Sequence, residues 1–440
     1  MPGDRPAREA RGCVGQGVLT DAFPRRDGVL HCEDVPAERI AVAAGTPTFV
    51  YSSAALRERY RQLTAALAAV PHRVHYSLKA NANCAILALL KDVGSGVDVV
   101  SGGELFRAQR AGFAGHDIIF GGVGKTAQEL REGLRAGVKL INVESEGELA
   151  LLASVAGELG VTAPVALRIN PEVTVENPHA YIATGERGHK FGIPYDDALD
   201  VARTALGLGT LRLLGLDMHI GSQLSTLEPY REGLEKLKVV SSQLAEHGCR
   251  LRYVDIGGGL PVRYGPDDEE PDLDAFARVV TPVVRALGVE LLVEPGRFFV
   301  AAGGVLLSRV LYRKRSGGKD YVVADAGMTE LLRPSHYDSF HLIEAADAKT
   351  GRKVVDVVGP VCESGDFLAL GREMDDVSPG DLLVIRTTGA YGYVMSSNYN
   401  ARPRAAEVVV DGNRYAIVTA RESYEDLVRL EQADPDWRDA

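Results

Sequence analysis

Lys79 ends an alternating apolar run in the stretch HYSLKANAN, residues 75–83, where Val74, Tyr76 and Leu78 interleave with smaller or polar neighbours. Lysine is strongly hydrated and almost never fully buried without a partner. A strand that delivers an ammonium group at its end therefore points to a rim. There a lysine amine can form a Schiff base with a carbonyl substrate or with pyridoxal phosphate. That cofactor further needs a phosphate cradle, a partner for its ring nitrogen and packing on its ring face. Gly257, Gly258 and Gly259 suit a cradle, since glycine lets backbone N–H groups approach a phosphate, although a plain tight turn has the same composition. Glu294, in EPGR, is of a type to pair with a pyridine nitrogen or with an ordinary cation. His219, in HIGSQ, suits stacking on a ring or a satisfied place in the core.

Something must bring these distant positions together, and the rhythm of the chain supplies it. Eight short β-branched runs, VHYSLKA, VDVVS, DIIFGG, LINVES, VALRIN, GLDMHIG, YVDIGGG and LLVEPGR, alternate with helical stretches between residues 74 and 297. This is the pattern and the length of a (β/α)8 barrel of TIM type. Their C-terminal ends carry Lys79, Asp98, Gly121, Glu144, Arg168, His219, Gly257 and Glu294 with Arg297. Active sites of such barrels lie on that face. The helical stretch 145–160 opens with SEGE, a capping-box pattern, and ends in glycine, as does the stretch 227–248.

After Arg297 the pattern becomes β-rich, with strand-like runs at 305–314, 321–326, 354–362, 382–388 and 407–419. The last reads as a hairpin around Asp411-Gly412. The fold class is α/β, a barrel plus a C-terminal β-rich domain. The domain reading is 1–28 as a flexible lead-in, 29–52 as a segment packing with the β-domain, 53–301 as the barrel and 302–440 as the β-domain. GTPTFVYSS, residues 45–53, reads as an edge strand for either domain.

Charge and composition exclude several classes. Lys+Arg 49 against Asp+Glu 60 gives a net charge of −11, which leaves no general basic footprint for nucleic acid. No apolar run approaches a membrane span, and the N-terminus lacks the apolar core of a signal peptide. The five cysteines form no CxxC pair, which argues against a metal site or disulfide framework and for a reduced, cytoplasmic setting. GGVGKT, residues 121–126, ends like a P-loop, but the required first glycine falls at Ile119. GGGLPV fails the dinucleotide fingerprint at Val262.

Nine motifs occur in one order: YSLKANAN, DVVSGGEL, NPHAYIATG with KFGIP, DMHIGSQ, DIGGGL, EPGR, DAGMTELLRPSHY, GPVCESGDF and GAYGYVMSSNYN. In this the chain resembles the diaminopimelate decarboxylases, pyridoxal-phosphate enzymes of the alanine-racemase fold, from about Val29 onward. Ser77-Leu78 and Ser335-His336 are side-chain variations beside functional positions. The resemblance implies that Lys79 holds pyridoxal 5'-phosphate as an aldimine, with Gly258 and the EPGR residues Gly296 and Arg297 at the cofactor, Glu294 at its ring nitrogen and His219 against its ring. Arg297, Arg333 and Tyr337 would read substrate carboxylates, and Tyr391 would touch both cofactor and substrate. Cys362, as proton donor, and Glu363, as a substrate contact, would reach across a homodimer interface into the partner's site. The implied reaction is decarboxylation of meso-2,6-diaminoheptanedioate to L-lysine, the last step of lysine biosynthesis. The alternatives within the class are ornithine, arginine, carboxynorspermidine or a carrier-bound amino acid, and outside it a non-catalytic pyridoxal-phosphate-binding protein. Arg333 together with Glu363 favours a substrate with a distal amino-acid group.

Overall fold

The computed structural model describes residues 22–174 and 188–438. The NPHAYIATG motif, residues 177–185, lies outside the described residues. Eight parallel strands follow one another: β1 (His72–Ser77), β2 (Gly96–Val99), β3 (Ile118–Phe120), β4 (Leu140–Val143), β5 (Ala163–Asn170), β6 (Leu211–Asp217), β7 (Tyr253–Asp255) and β8 (Glu290–Val293). Each pairs with its successor, and β8 pairs with β1, so the sheet closes into a barrel. These are the eight runs read from the sequence.

The barrel interior is layered. Ile119, Leu140, Ala166, Leu214, Tyr253 and Leu292 form a buried cluster of their own, separate from the core between strands and helices. Two residues further along four of those strands, on the same face, stand Asn142, Arg168, Asp255 and Glu294. On β6 the step is three, from Leu214 to Asp217, because a bulge between Leu213 and Gly215 shifts the phase. An apolar plug thus lies beneath a polar layer at the C-terminal mouth.

Helix starts follow the sequence with one instructive departure. Thr126 opens helix Ala127–Ala136 with a complete capping box. At helix Glu146–Leu159 only half of the expected box forms. The Glu148 N–H donates to Ser145 Oγ (3.2 Å), while the Glu148 carboxylate takes the Glu144 N–H (2.9 Å) and the Lys125 ammonium (2.7 Å). Lys125 also donates to the Gly122 and Asn142 carbonyls (2.6 and 2.8 Å). A buried ammonium requires such partners, and the GKT resemblance to a P-loop is a structural staple.

The second sheet runs Phe367–Asp375, Arg352–Val358, Lys319–Ala324, Gly304–Ser316, Thr48–Ser52, Ala406–Asp411, Arg414–Thr419. Leu382–Ile385 also pairs with Gly304–Ser316, and Ile343–Ala345 pairs with Leu382–Ile385. Thr48–Ser52 is central, not an edge strand: it is antiparallel to Gly304–Ser316, parallel to Ala406–Asp411, and buried at all five positions. A run without charge suits a place covered on both sides. The hairpin turn falls one residue later than expected. Asp411 pairs with Arg414, so Gly412 (φ +63°) and Asn413 are the turn residues. The folded chain also begins before Gly28. Phe23 is buried, and Arg25 donates to the Ala346 carbonyl (2.9 Å) and pairs with Glu344 (2.7 Å). An aromatic anchor and an ion pair thus order the end of the expected lead-in.

Candidate active site

The turn that carries Lys79 is built by its sequence neighbours. After β1 the chain tightens into the single turn Leu78–Ala80. The Tyr76 hydroxyl donates to the Asn81 carbonyl (2.8 Å), and the Asn81 amide donates to the Gly389 carbonyl (3.0 Å). The Asn83 side chain accepts from the Ala85 N–H (2.9 Å), capping helix Cys84–Asp92, and donates to Glu407 (2.8 Å). The Tyr391 N–H donates to the Ala80 carbonyl (2.8 Å). ANAN is therefore a clamp between the lysine turn and the β-rich sheet.

Lys79 opens into a cavity of about 1340 Å³ over the barrel mouth, and His219, Arg297, Arg333, Tyr337 and Tyr391 open into it as well. Its side chain is accessible from the cavity but surrounded by protein otherwise. That burial works against its charge. Asp98, Tyr391 and Glu294 outweigh it and hold the amine's pKa above the ordinary lysine value. Asp98 is itself fixed by the Ser77 hydroxyl (2.6 Å).

Beneath the lysine lies an acid group. Asp217, Asp255 and Glu294 bring carboxylate oxygens within 4.8 Å of one another, all buried. Burial, then Asp255, Asp98 and Asp217, push Glu294 well above the carboxylate range. Burial and Asp255 do the same to Asp217, and burial raises Asp255 to about 7. Like charges so close in a dry site cannot all ionise, so the group holds protons. Arg168 pairs with Glu144 (2.8 Å) and stands 3.9 Å from Asp217, neutralising part of the layer. Among the described residues, Asp217 Oδ1 is buried without a hydrogen-bond partner.

This group carries a pH prediction. A buried acid with a raised pKa holds its proton more tightly folded than unfolded. Stability then falls as pH rises from the ordinary value of 3.8 through about 7. Asp255→Asn keeps an acceptor for the Gly257 N–H (2.9 Å) and removes one ionisable group. Cofactor-free Asp255→Asn should lose less melting temperature than wild type between about pH 5 and pH 7. Equal slopes would remove Asp255 from the proton-sharing group.

The glycine segment contributes differently from the expectation. The Gly258 N–H donates to His219 Nδ1 (3.1 Å), and the Gly257 N–H to Asp255, so neither is free for an anion. What the glycines provide is space. A Cβ on Gly258 would stand 2.6 Å from the Glu294 carbonyl oxygen, and one on Gly296 3.0 Å from Ala80 Cβ. Between them a small lobe of about 40 Å³ is lined by Gly258, Gly259, Ser222, Gly296 and Tyr391. The bond from Gly258 leaves the His219 proton on Nε2. Burial, then Lys79 and Arg168, hold the imidazole well below its usual pKa, and therefore neutral.

An amine at the rim, a proton-holding carboxyl beneath it, a neutral imidazole and a backbone-walled lobe fit pyridoxal phosphate. Cys362 and Glu363 do not join this set within the chain. Both are exposed and outside the cavity lining. The Cys362 N–H donates to Asn400 Oδ1 (2.9 Å), and the Tyr399 hydroxyl to Glu363 (3.3 Å). Asp366 holds their loop by accepting from the Met328 and Val361 N–H groups (both 2.6 Å).

Sequence reasoning missed Asp217, Asp255, Ser222, Tyr264 and His341. A signal existed for the first two, since DMHIG and DIGGG both open with an aspartate at a strand end. For Tyr264 and His341 the signal is spatial only.

Residues 53–301 match the family model described as "Pyridoxal-dependent decarboxylase, pyridoxal binding domain". The diaminopimelate decarboxylase of Pseudomonas fluorescens is 45% identical over 94% of this chain and 100% of its own length. That of Aquifex aeolicus is 41% identical over 92% and 96%. The crystal structure of the Helicobacter pylori diaminopimelate decarboxylase complexed with L-lysine superposes with a TM-score of 0.86 at 36% identity, covering 90% of this chain and 98% of that one. With the barrel, the lysine turn and the acid group in place, the chain belongs to the diaminopimelate decarboxylase family of pyridoxal-dependent decarboxylases.

Proposed function

We propose that this protein decarboxylates meso-2,6-diaminoheptanedioate at its D-centre to give L-lysine and carbon dioxide, closing lysine biosynthesis. The observation that carries the reading is one cavity shared by the Lys79 amine and two buried guanidinium groups, Arg297 and Arg333. Neither arginine forms an ion pair with a carboxylate among the described residues. Pyridoxal phosphate, when bound, supplies the electron sink for the pair left by the departing carboxylate. Lys79, whose ε-nitrogen opens into the cavity, would hold it. Glu294 would keep a proton at the ring nitrogen, and the neutral His219 would pack on the ring. Gly258 and Gly296 leave room for the phosphate.

Arg297, Arg333 and Tyr337 bind the L-centre carboxylate, and Tyr391 closes the space between substrate and cofactor. Cys362 from a partner subunit delivers the proton that replaces carbon dioxide, and Glu363 meets the distal ammonium. The exposure of both residues outside their own cavity supports that assignment. The working form is then a homodimer with shared sites. The scattered cysteines support a cytoplasmic location. We take 53–301 as the cofactor-binding barrel and 302–440, joined by 29–52, as the β-domain.

Carbon dioxide release across meso-diaminoheptanedioate, L-lysine, L-ornithine and L-arginine tests the reading. A site built for a distal charged group leaves it unsatisfied with an analogue that lacks the match, at about 1–3 kcal/mol for each buried polar group. The diacid should exceed every other substrate in kcat/KM by at least about 10-fold. Equal turnover of ornithine would overturn it.

A further inference from the structure

Arg297 and Arg333 are 8% and 6% exposed, and two like charges buried in one cavity need something to hold them in place. Tyr264 lies between them. The Arg297 Nη1 donates to the Tyr264 hydroxyl (2.7 Å), while its other guanidinium nitrogens reach Ser222 Oγ (3.2 and 3.3 Å). The Arg333 guanidinium stacks 4.5 Å from the centre of the Tyr264 ring. Burial raises the phenol's pKa, but Arg297 and Arg333 outweigh it and hold it below the usual tyrosine value.

A second residue braces the pair. His341 is fully buried, packs edge-on to Tyr264 at 5.2 Å, and lies 3.1 Å from Arg333 Nη1 through Nε2. A guanidinium only donates, so Nε2 accepts and Nδ1 carries the proton, which it gives to the Arg386 carbonyl (2.8 Å). Burial and Arg333 hold the ring's pKa down to about 3, so it stays a neutral acceptor. Tyr264 is pinned in turn, since Asp268 accepts from the N–H groups of both Tyr264 and Gly265 (2.9 Å each).

We propose that Tyr264, braced by His341, is a positioning residue that sets the spacing of Arg297 and Arg333 so that together they grip one substrate carboxylate. The ring is a platform for Arg333 and the hydroxyl is a stop for Arg297, which pre-organises two forks otherwise driven apart. The proposal rests on the reading of the two arginines as binders of the L-centre carboxylate.

The test uses holoenzyme carrying Tyr264→Phe, which keeps the platform and removes the stop. L-lysine retains the carboxylate in question, and cadaverine is the same molecule without it. Calorimetric Kd for L-lysine should weaken about 10-fold, the scale of one charge-assisted hydrogen bond, with cadaverine unchanged. KM for the diacid should rise by a similar factor while kcat changes less than about 2-fold. His341→Gln, whose amide oxygen can still accept from Arg333, should retain lysine affinity, whereas His341→Leu should lose it as Tyr264→Phe does. Equal weakening of both ligands, or no weakening of lysine in either Tyr264→Phe or His341→Leu, overturns the proposal. If Tyr264→Phe did not fold, the His341 pair would decide by the same lysine and cadaverine comparison. Wild-type enzyme that binds lysine over cadaverine yet does not release carbon dioxide from the diacid would sink the activity and leave this inference to the binding comparison.

Discussion

Lys79→Ala is expected to lower turnover by at least about 10³-fold and to abolish the yellow absorbance of lysine-bound cofactor. The argument is one of position as much as type. Lys125 also lies near the barrel mouth, but it is buried, its ammonium is held by Glu148 and two carbonyls, and it does not line the cavity. Lys79 alone of the two opens on the cavity while facing Asp98 and Glu294. Borohydride reduction followed by peptide mapping should therefore place the cofactor on Lys79. Recovery of the label on another lysine would show the assignment to be wrong.

The second large effect concerns two subunits at once. Lys79→Ala and Cys362→Ala should each be nearly inactive, since in the proposed homodimer with shared sites every site would lack one of the two groups. After dissociation and mixing, a heterodimer has one intact site, with Lys79 from one chain and Cys362 from the other. Such a heterodimer should recover up to about half of wild-type activity, or about a quarter averaged over statistically mixed dimers. Subunit exchange shown by mass without any recovery would put Cys362 outside the partner's chemistry.

The barrel was legible in the sequence because each strand is a short β-branched run closed by a polar or glycine residue. That punctuation follows from one face being a mouth and the other a packed plug. The strand Phe367–Asp375 was missed for the opposite reason. FLALGREMD has a glycine and three charges in nine residues, and its exposed positions follow no strict alternation. The centrality of Thr48–Ser52 was hidden because its neighbours in space are more than 250 residues away in sequence. The motifs pointed to Lys79, His219, Arg297, Arg333, Tyr337 and Tyr391, which all open into the cavity. They were silent on those that brace them, since Tyr264 and His341 matter only through the arginines they touch. The glycine segment shows the limit of motif reading most clearly. Its composition suited a phosphate cradle, yet two of its three N–H groups are turned inward to His219 and Asp255.

Thr48–Ser52 sits between Gly304–Ser316 and Ala406–Asp411, so the second sheet is completed from both ends of the chain. During synthesis this early strand emerges long before either neighbour exists, and it waits with both edges unpaired while the whole barrel is made. Unpaired edges are aggregation-prone, and pairings distant in sequence form slowly. A chain released before Ala406 would keep one of those edges open permanently. Neither half of the molecule is a free-standing cassette, and a cut at the barrel's end would separate the β-sheet from its own middle strand.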